Sequence, residues 1–294
     1  MSKLGDFLEA VYGKEQRFTT VRAAIRQWRN RDLADNALGG NRTVSGRRRV
    51  QPVSTSSVEE LDVSIWLALP DRARIERRRG GQFVDLTVVN SIEWWKRDHE
   101  GHVETSGKGK RSSPSLSDAE RHFDRKSLRE FFVELDLEQV GVTETAGQDC
   151  VRIRATPRPD GSLWPHWLPY GADEYEFRAD PAHGALLSII AHCNGEMFER
   201  SEVSEVAFNE SLDPFLFHYT PEPGEQVRLA DPIVVHLTLD AAIAQMPFTG
   251  LVPTRLPDPG HVQMHVMYDP PSLRSPRSQL TIMYSWFDAH EHVS

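Results

Sequence analysis

The sequence predicts an α+β protein whose body is an antiparallel β-sheet carrying helices on one face. Three observations predict it. Apolar and polar residues alternate through one segment after another, and the turns between these segments are too short for the crossover that parallel strands need. The pair Asn194-Gly195 stands between two such segments, the strongest short signal for a hairpin.

Residues 3–12 read as an amphipathic helix, with Leu4, Phe7, Leu8 and Val11 at i, i+3, i+4 and i+7. From Phe18 to Asn30 the period is two: Val21, Ala23 and Ile25 face one way, Arg22, Arg26 and Trp28 the other. Residues 31–57 are polar and hold Gly39-Gly40 and Ser45-Gly46, the composition of a loop or a loosely held helix. Glu60–Leu69 is the clearest strand, with Leu61, Val63, Ile65, Leu67 and Leu69 on one face, and Pro70-Asp71 ends it. In Arg72–Arg78, Ala73 and Ile75 oppose Arg72, Arg74 and Glu76. Gly80-Gly81 then turns the chain into Gln82–Val89, and a further strand carries Trp94-Trp95. Short turns between successive strands predict a meander.

Residues 98–117 are polar and rich in Ser, Gly and Lys, and read as a loop. Ser127-Leu128-Arg129-Glu130 has the form of a capping box and predicts a helix. Its stripe of Leu128, Phe131, Phe132 and Leu135 suits a lid over the sheet. Strands resume at Leu137–Thr145, turn at Ala146-Gly147, and continue as Cys150–Thr156, Glu174–Arg178, Ala185–His192 and Glu196–Phe208. Beyond Leu229 the character shifts. Thr238 can cap a helix to Met246, and a Pro-containing link from Pro253 to Gly260 leads to strands His261–Tyr268 and Gln279–Phe287. The expected division is a body over 1–229 and a small αβ subdomain over 230–294.

Composition narrows the function. Of the 294 residues 39% are hydrophobic and 26% charged, too apolar for disorder. The longest apolar stretches, such as Ile65–Leu69, fall well short of the roughly 20 residues that cross a bilayer. Acidic residues stand in the first nine positions where a secretory signal has its apolar segment, which predicts a cytoplasmic location. Cys150 and Cys193 are too few for a disulfide framework and read as free thiols in strands. Residues 1–126 carry 24 Lys and Arg against 18 Asp and Glu, while the remainder carries 10 against 25. Arg47-Arg48-Arg49 and Arg77-Arg78-Arg79 suit phosphate contacts, but the acidic second half opposes a wrapped nucleic acid, so both read as solvated surface.

No Gly-x-Ser-x-Gly elbow, phosphate-binding glycine loop or dinucleotide fingerprint is present, and no catalytic residue or cofactor is assigned. Asp288, His290 and His292 alternate, so a strand would set a carboxylate and two imidazoles on one face as a three-ligand metal site, but no fourth group is in view at this chain end. His99 and His102 stand in a polar loop without the i, i+4 spacing of a zincin, and no metal is assigned. His166, in Trp164-Pro165-His166-Trp167, either lines a site or pins a loop. Trp28 and Trp66 fall on the polar faces of their strands and, if those strands pair, form a partner surface or pack beneath the 31–57 loop.

The order of these pieces resembles the LolA-like family of lipoprotein-carrier and related lipid-binding domains. Trp66, Pro70 and Arg74 stand at familiar places in its paired early strands, and Glu138–Pro157, with Ala146-Gly147-Gln148, resembles the pair after the lid helix. Tyr175 to Val227 is the best match, through Asp180…Gly184, Asn194-Gly195, Phe215, Phe217 and Pro221-Glu222-Pro223-Gly224. Leu239-Asp240-Ala241-Ala242, Pro247-Phe248 and Leu256-Pro257 resemble a small domain often appended to such proteins. The resemblance implies a strongly curved sheet, a half-open β-barrel with helices over its concave face. It also implies a non-enzymatic carrier that holds an acyl or lipid-like ligand in a hydrophobic cavity. Such a cavity would be lined by Val63, Ile65, Leu67 and Ile75, with Phe131 and Phe132 from the lid. The alternative it implies is a regulatory module binding another protein, like the LolA-like half of RseB-type sensors.

Overall fold

A computed structural model describes residues 2–15, 17–37, 57–107, 116–158, 168–169, 171–230, 262–269 and 279–286. The chain divides into two compact units, Met1–Arg228 and Leu229–Ser294.

The first unit is built on one open sheet. Its strands are β1 (Thr20–Asn30), β2 (Val58–Ala68), β3 (Arg72–Arg79), β4 (Gln82–Val89), β5 (Trp94–Asp98) and β6 (His102–Thr105). They are followed by β7 (Leu135–Thr145), β8 (Gln148–Pro157), β9 (Glu174–Asp180), β10 (Ala185–Cys193), β11 (Glu196–Phe208) and β12 (Gln226–Leu229). The order across the sheet is β12-β6-β5-β4-β3-β2-β1-β11-β10-β9-β8-β7. Two meanders therefore meet at β1, which pairs antiparallel with β2 on one side and β11 on the other. Register shifts at Ala24/Ile25, Arg77/Arg78, Gln139/Gly141 and Ala191/His192 insert bulges that bend their strands. The result is a half-open barrel whose outermost described strands are β7 and β12.

The helices are α1 (Lys3–Tyr12), α2 (Arg31–Ala37), α3 (Ser117–Phe123) and α4 (Arg125–Val133). Phe7 and Val11 of α1, Ala34 of α2, and Leu128, Phe131 and Phe132 of α4 join one buried cluster with Val151, Ile153, Tyr175, Phe177 and Ile189 of the sheet. The turn between β9 and β10 touches α1 closely. Gly184 has φ +70°, and a Cβ there would stand 3.1 Å from Ala10, so a side chain would push the helix away.

The opposite face is largely a lattice of ion pairs that solvent reaches, among them Glu138–Arg154–Glu174, in which Glu138 and Arg154 are exposed, and the half-buried Arg152–Glu176 and Arg178–Glu202. Pairs open to solvent contribute little to stability and keep the face solvated. At the β3–β5 end a 3-10 turn, Pro214–Phe217, covers that face. Arg74 Nη1 donates to Leu216 O at 3.4 Å, Asn90 Nδ2 donates to Phe217 O at 3.2 Å, and Tyr219 packs on Trp95.

Several expectations are corrected here. Asp124, rather than Ser127, caps α4: its carboxylate accepts the Ser127 N–H at 2.9 Å and the Ser127 hydroxyl at 2.7 Å. Leu135 is buried in the same cluster but opens β7 instead of closing the helix. Within 98–117, read as loop, lie β6 and the start of α3. Trp28 and Trp66 stand opposite Glu60 and Arg22, at separate ends of the β1–β2 pair, and form no shared patch. Arg77 turns inward to Asp85 and Asp118 and departs from the solvated surface expected of its run, while Arg78 and Arg79 are exposed as expected and pair with Glu76 and Glu59. Cys150 and Cys193 are free, as expected.

In the second unit β13 (Val262–Asp269) and β14 (Gln279–Trp286) form an antiparallel pair close to the expected bounds. The helix expected at 238–246, Arg47-Arg48-Arg49, the His166 cluster and Asp288, His290 and His292 lie outside the described residues.

Candidate functional site

The helix-bearing face has two parts, one apolar and one charged. Across β8, β9 and β10 the register aligns Ile153, Phe177 and Ile189 in one row and Ala155, Tyr175 and Ala191 in the next. Strand alternation puts these side chains on one face, and α1 and α4 cover them. The Phe132 ring meets Phe7 edge-on at 5.6 Å and Phe177 at 5.9 Å, and Tyr175 stacks on Phe177 at 5.8 Å. Tyr175 satisfies its buried hydroxyl by donating to Pro169 O at 2.9 Å.

Two arginines tie the covering helices together. Arg125 donates to the carbonyls of Val11, Gly13 and Glu15, and Arg129 to those of Val11 and Gly13. These carbonyls lie at the C-terminal end of α1, where helical acceptors lack intrahelical partners and the dipole is negative.

The charged part lies under α3. Arg77 pairs with Asp85 at 2.7 Å and with Asp118 of α3 at 2.6 Å, and Gln27 donates to Asp118 at 2.8 Å. Burial raises the Asp118 pKa, but Arg77 and the Gln27 hydrogen bond outweigh it and hold the carboxyl below its ordinary value. Arg121 of α3 meets Glu199 at 3.1 Å, which Arg29 also approaches at 3.6 Å. His122 has no solvent contact. Its Nδ1 lies 2.5 Å from Leu186 O and its Nε2 2.8 Å from Ser201 Oγ. A carbonyl only accepts, so Nδ1 carries the hydrogen and Nε2 accepts from the Ser201 hydroxyl, which fixes the neutral tautomer. Burial depresses the His122 pKa to about 4.

The six residues expected to line one cavity fall in two places. Phe131 and Phe132 belong to the cluster over β8–β10. Val63, Ile65, Leu67 and Ile75 are buried on β2 and β3, in rows with Ile25, Ala23 and Val21 of β1, and stand outside that cluster. What Phe131 and Phe132 face is Phe7, Ile153, Tyr175 and Phe177, whose alternation was legible but was assigned no ligand. The charged residues under α3 were also missed. Their one signal in the sequence is Arg77, which follows Ala73 and Ile75 on the apolar face of its strand.

Among the described residues, Asp98, Glu100 and His102 bring potential metal-ligating atoms within 4.8 Å of one another. Asp98 Oδ1 already accepts the Glu100 and His102 amides at 2.9 Å, so this group is the β5–β6 turn holding itself. No described helix is long and apolar enough to cross a membrane.

No protein-family model matches the chain, and no curated protein matches it. Among solved structures it is similar to an uncharacterized conserved protein from Thermus thermophilus, at 12% identity over 78% of this chain and 100% of that one, with TM-score 0.42. It is similar to a chain of the Pseudomonas aeruginosa MucA/MucB complex, at 15% identity over 96% of this chain and 75% of that one, with TM-score 0.40. It is also similar to a LolA superfamily protein from Nitrosomonas europaea, at 7% identity over 74% of this chain and 98% of that one, with TM-score 0.25.

Proposed function

We propose that the protein is a non-enzymatic carrier that holds an acyl or lipid-like group against the apolar part of its concave face, beneath α1 and α4. One observation carries this reading: the aromatic face of β8–β10 is covered by short helices that meet it mainly through side chains, their backbones bonded to the sheet region only at their ends, where Leu4 N donates to Gln139 and Glu134 O accepts from Arg158 N. Every ladder of the sheet stays intact if those helices move, so the cover can leave without unfolding the body.

The magnitudes favour exchange. Lifting Phe131 and Phe132 off the sheet forfeits about 1.5–3 kcal/mol for each side chain, while an alkyl chain gains about 0.8 kcal/mol per buried methylene. A chain of roughly eight methylenes or more therefore replaces both rings, and a short one does not. An anionic head at the α3 side would find the Nε–H of Arg121, which has no acceptor among the described residues.

The test is uptake of a fluorescent fatty acid, displaced by unlabelled acids of increasing chain length, with native mass spectrometry of the freshly purified protein alongside. Carriage predicts weak displacement by short acids, a steep rise once the chain passes about eight methylenes, and a lipid-sized adduct. Absence of both adduct and uptake at every length sinks the reading.

A further inference from the structure

β7, Leu135–Thr145, is the last described strand of the sheet, and no described strand pairs with its outer side. A strand so placed presents a row of backbone N–H and C=O groups to any chain that can lie beside it. Two observations specify which chain fits.

The first is charge. Between Arg129 and Arg152 stand Glu130, Glu134, Asp136, Glu138, Glu144 and Asp149, with no Lys or Arg among them. Asp136 and Glu138 are exposed, and their cations, Arg158 and Arg154, lie on the inner side of the strand, at 3.0 and 3.5 Å. The second is an apolar flank on the side of the helices. Val133, at the end of α4, is 55% exposed, Val142 of β7 59%, and Tyr12 44%. Tyr12 is held beside α4 by its hydroxyl, which donates to Arg129 O at 3.2 Å.

We propose that the outer edge of β7 docks an extended basic strand of a partner protein, one alternating Lys or Arg with apolar residues. Its cations would oppose Asp136 and Glu138, and its apolar side chains would cover Val133 and Leu137, on the other side of the edge. Strand addition of this kind draws affinity from main-chain hydrogen bonds and specificity from alternate side chains. A second copy of this chain fits less well, because β7 against β7 brings two acidic edges together, with Asp136 opposite Glu144 when the strands are centred on Val140. The bulge between Gln139 and Gly141 further disfavours self-pairing. This site is separate from the carrier reading and stands or falls without it.

The experiment titrates the full chain with a short blocked peptide alternating valine and lysine, and follows backbone amide exchange. Slowed exchange confined to β7 is expected, with affinity falling roughly tenfold in the Asp136→Lys/Glu138→Lys variant. Both positions are exposed, and a thermal melt establishes that the variant is folded; Val142→Lys, on the other flank, gives a second variant with the same expectation. A peptide of the same composition with its lysines in one block measures adsorption by charge alone. Equal binding by that peptide, no protection of β7, or β7 protection that grows with protein concentration in the absence of peptide each overturns the proposal, the last by assigning the edge to a second copy.

Discussion

A histidine ring buried with a carbonyl oxygen on Nδ1 and a serine hydroxyl on Nε2 is held neutral by the cost of burying a charge, since both oxygens could accept from an imidazolium. His122 is such a ring, and burial lowers its pKa from 6.5 to about 4. As the pH falls, the unfolded chain therefore takes up the proton first, and protonation favours the unfolded state. The stability that neutral His122 contributes is whole above about pH 6.5 and drains between about pH 6.5 and pH 4, by roughly 3 kcal/mol in all. In urea unfolding at neutral and at mildly acid pH, His122→Gln should be less stable than the parent when neutral and should lose less on acidification. Equal losses for both proteins would place the acid sensitivity elsewhere. Arg77 illustrates how far single residues were legible. Its place after Ala73 and Ile75 marks it as inward-facing, yet the run Arg77-Arg78-Arg79 reads as surface charge. Asp85 is its cross-strand neighbour in the β3–β4 hairpin, but only tertiary structure supplies Asp118, the second carboxylate that makes a half-buried guanidinium tolerable.

At the scale of elements, α1 is held to α4 by both greasy and charged contacts, and the charged ones can be removed separately. Hydrogen bonds from a charged donor contribute about 1.5–3 kcal/mol, and Arg125 and Arg129 both close on the carbonyls at the end of α1. Arg125→Ala/Arg129→Ala should loosen α1 without melting the sheet. Amide exchange over residues 3–12 should quicken by about tenfold or more, while that of β8–β10 stays at the parent's rate. Exchange quickening everywhere would show that α1 is part of the global folding unit and cannot act as a separable cover. The elements that sequence reading found are those with an apolar period: α1, the α4 stripe, and the hairpins ended by Gly80-Gly81, Ala146-Gly147 and Asn194-Gly195. Those it missed have a physical reason to be silent. α3 buries Asp118 and His122 beside Ala119 and Phe123, so polar residues break up the apolar stripe on its inward face. β6 is four residues long, too short for alternation to register. The Asp124 cap was hidden because Ser127, its hydrogen-bond partner, itself heads a capping-box pattern.

For the molecule as a whole, the decisive fact is where β1 sits. Each hairpin of the two meanders is local and therefore readable, but insertion of β1 between β2 and β11 joins segments far apart in the chain, and no turn signal announces it. The half-open shape was accordingly legible only through resemblance. The candidate site was half legible for the same reason. Phe131 and Phe132 stand on the side of β1 that carries β7–β11, while Val63, Ile65, Leu67 and Ile75 stand on the other. This seam makes a prediction about cooperativity. Ile25 is buried in β1 between Val63 of β2 and Val203 of β11, so it belongs to both halves at once. Ile25→Ala should cost about 2–5 kcal/mol through lost burial and the cavity left behind. If β1 welds the sheet into one folding unit, the slowest-exchanging amides of β3–β4 and β9–β10 should quicken together and by the same factor. If the meanders instead fold as separate bodies that merely dock at β1, only the amides of β1 and its immediate neighbours should respond. A single unit is expected, because neither meander alone covers both sides of β1, and an unpaired central strand would expose Val21, Ala23 and Ile25 together with a full row of backbone groups.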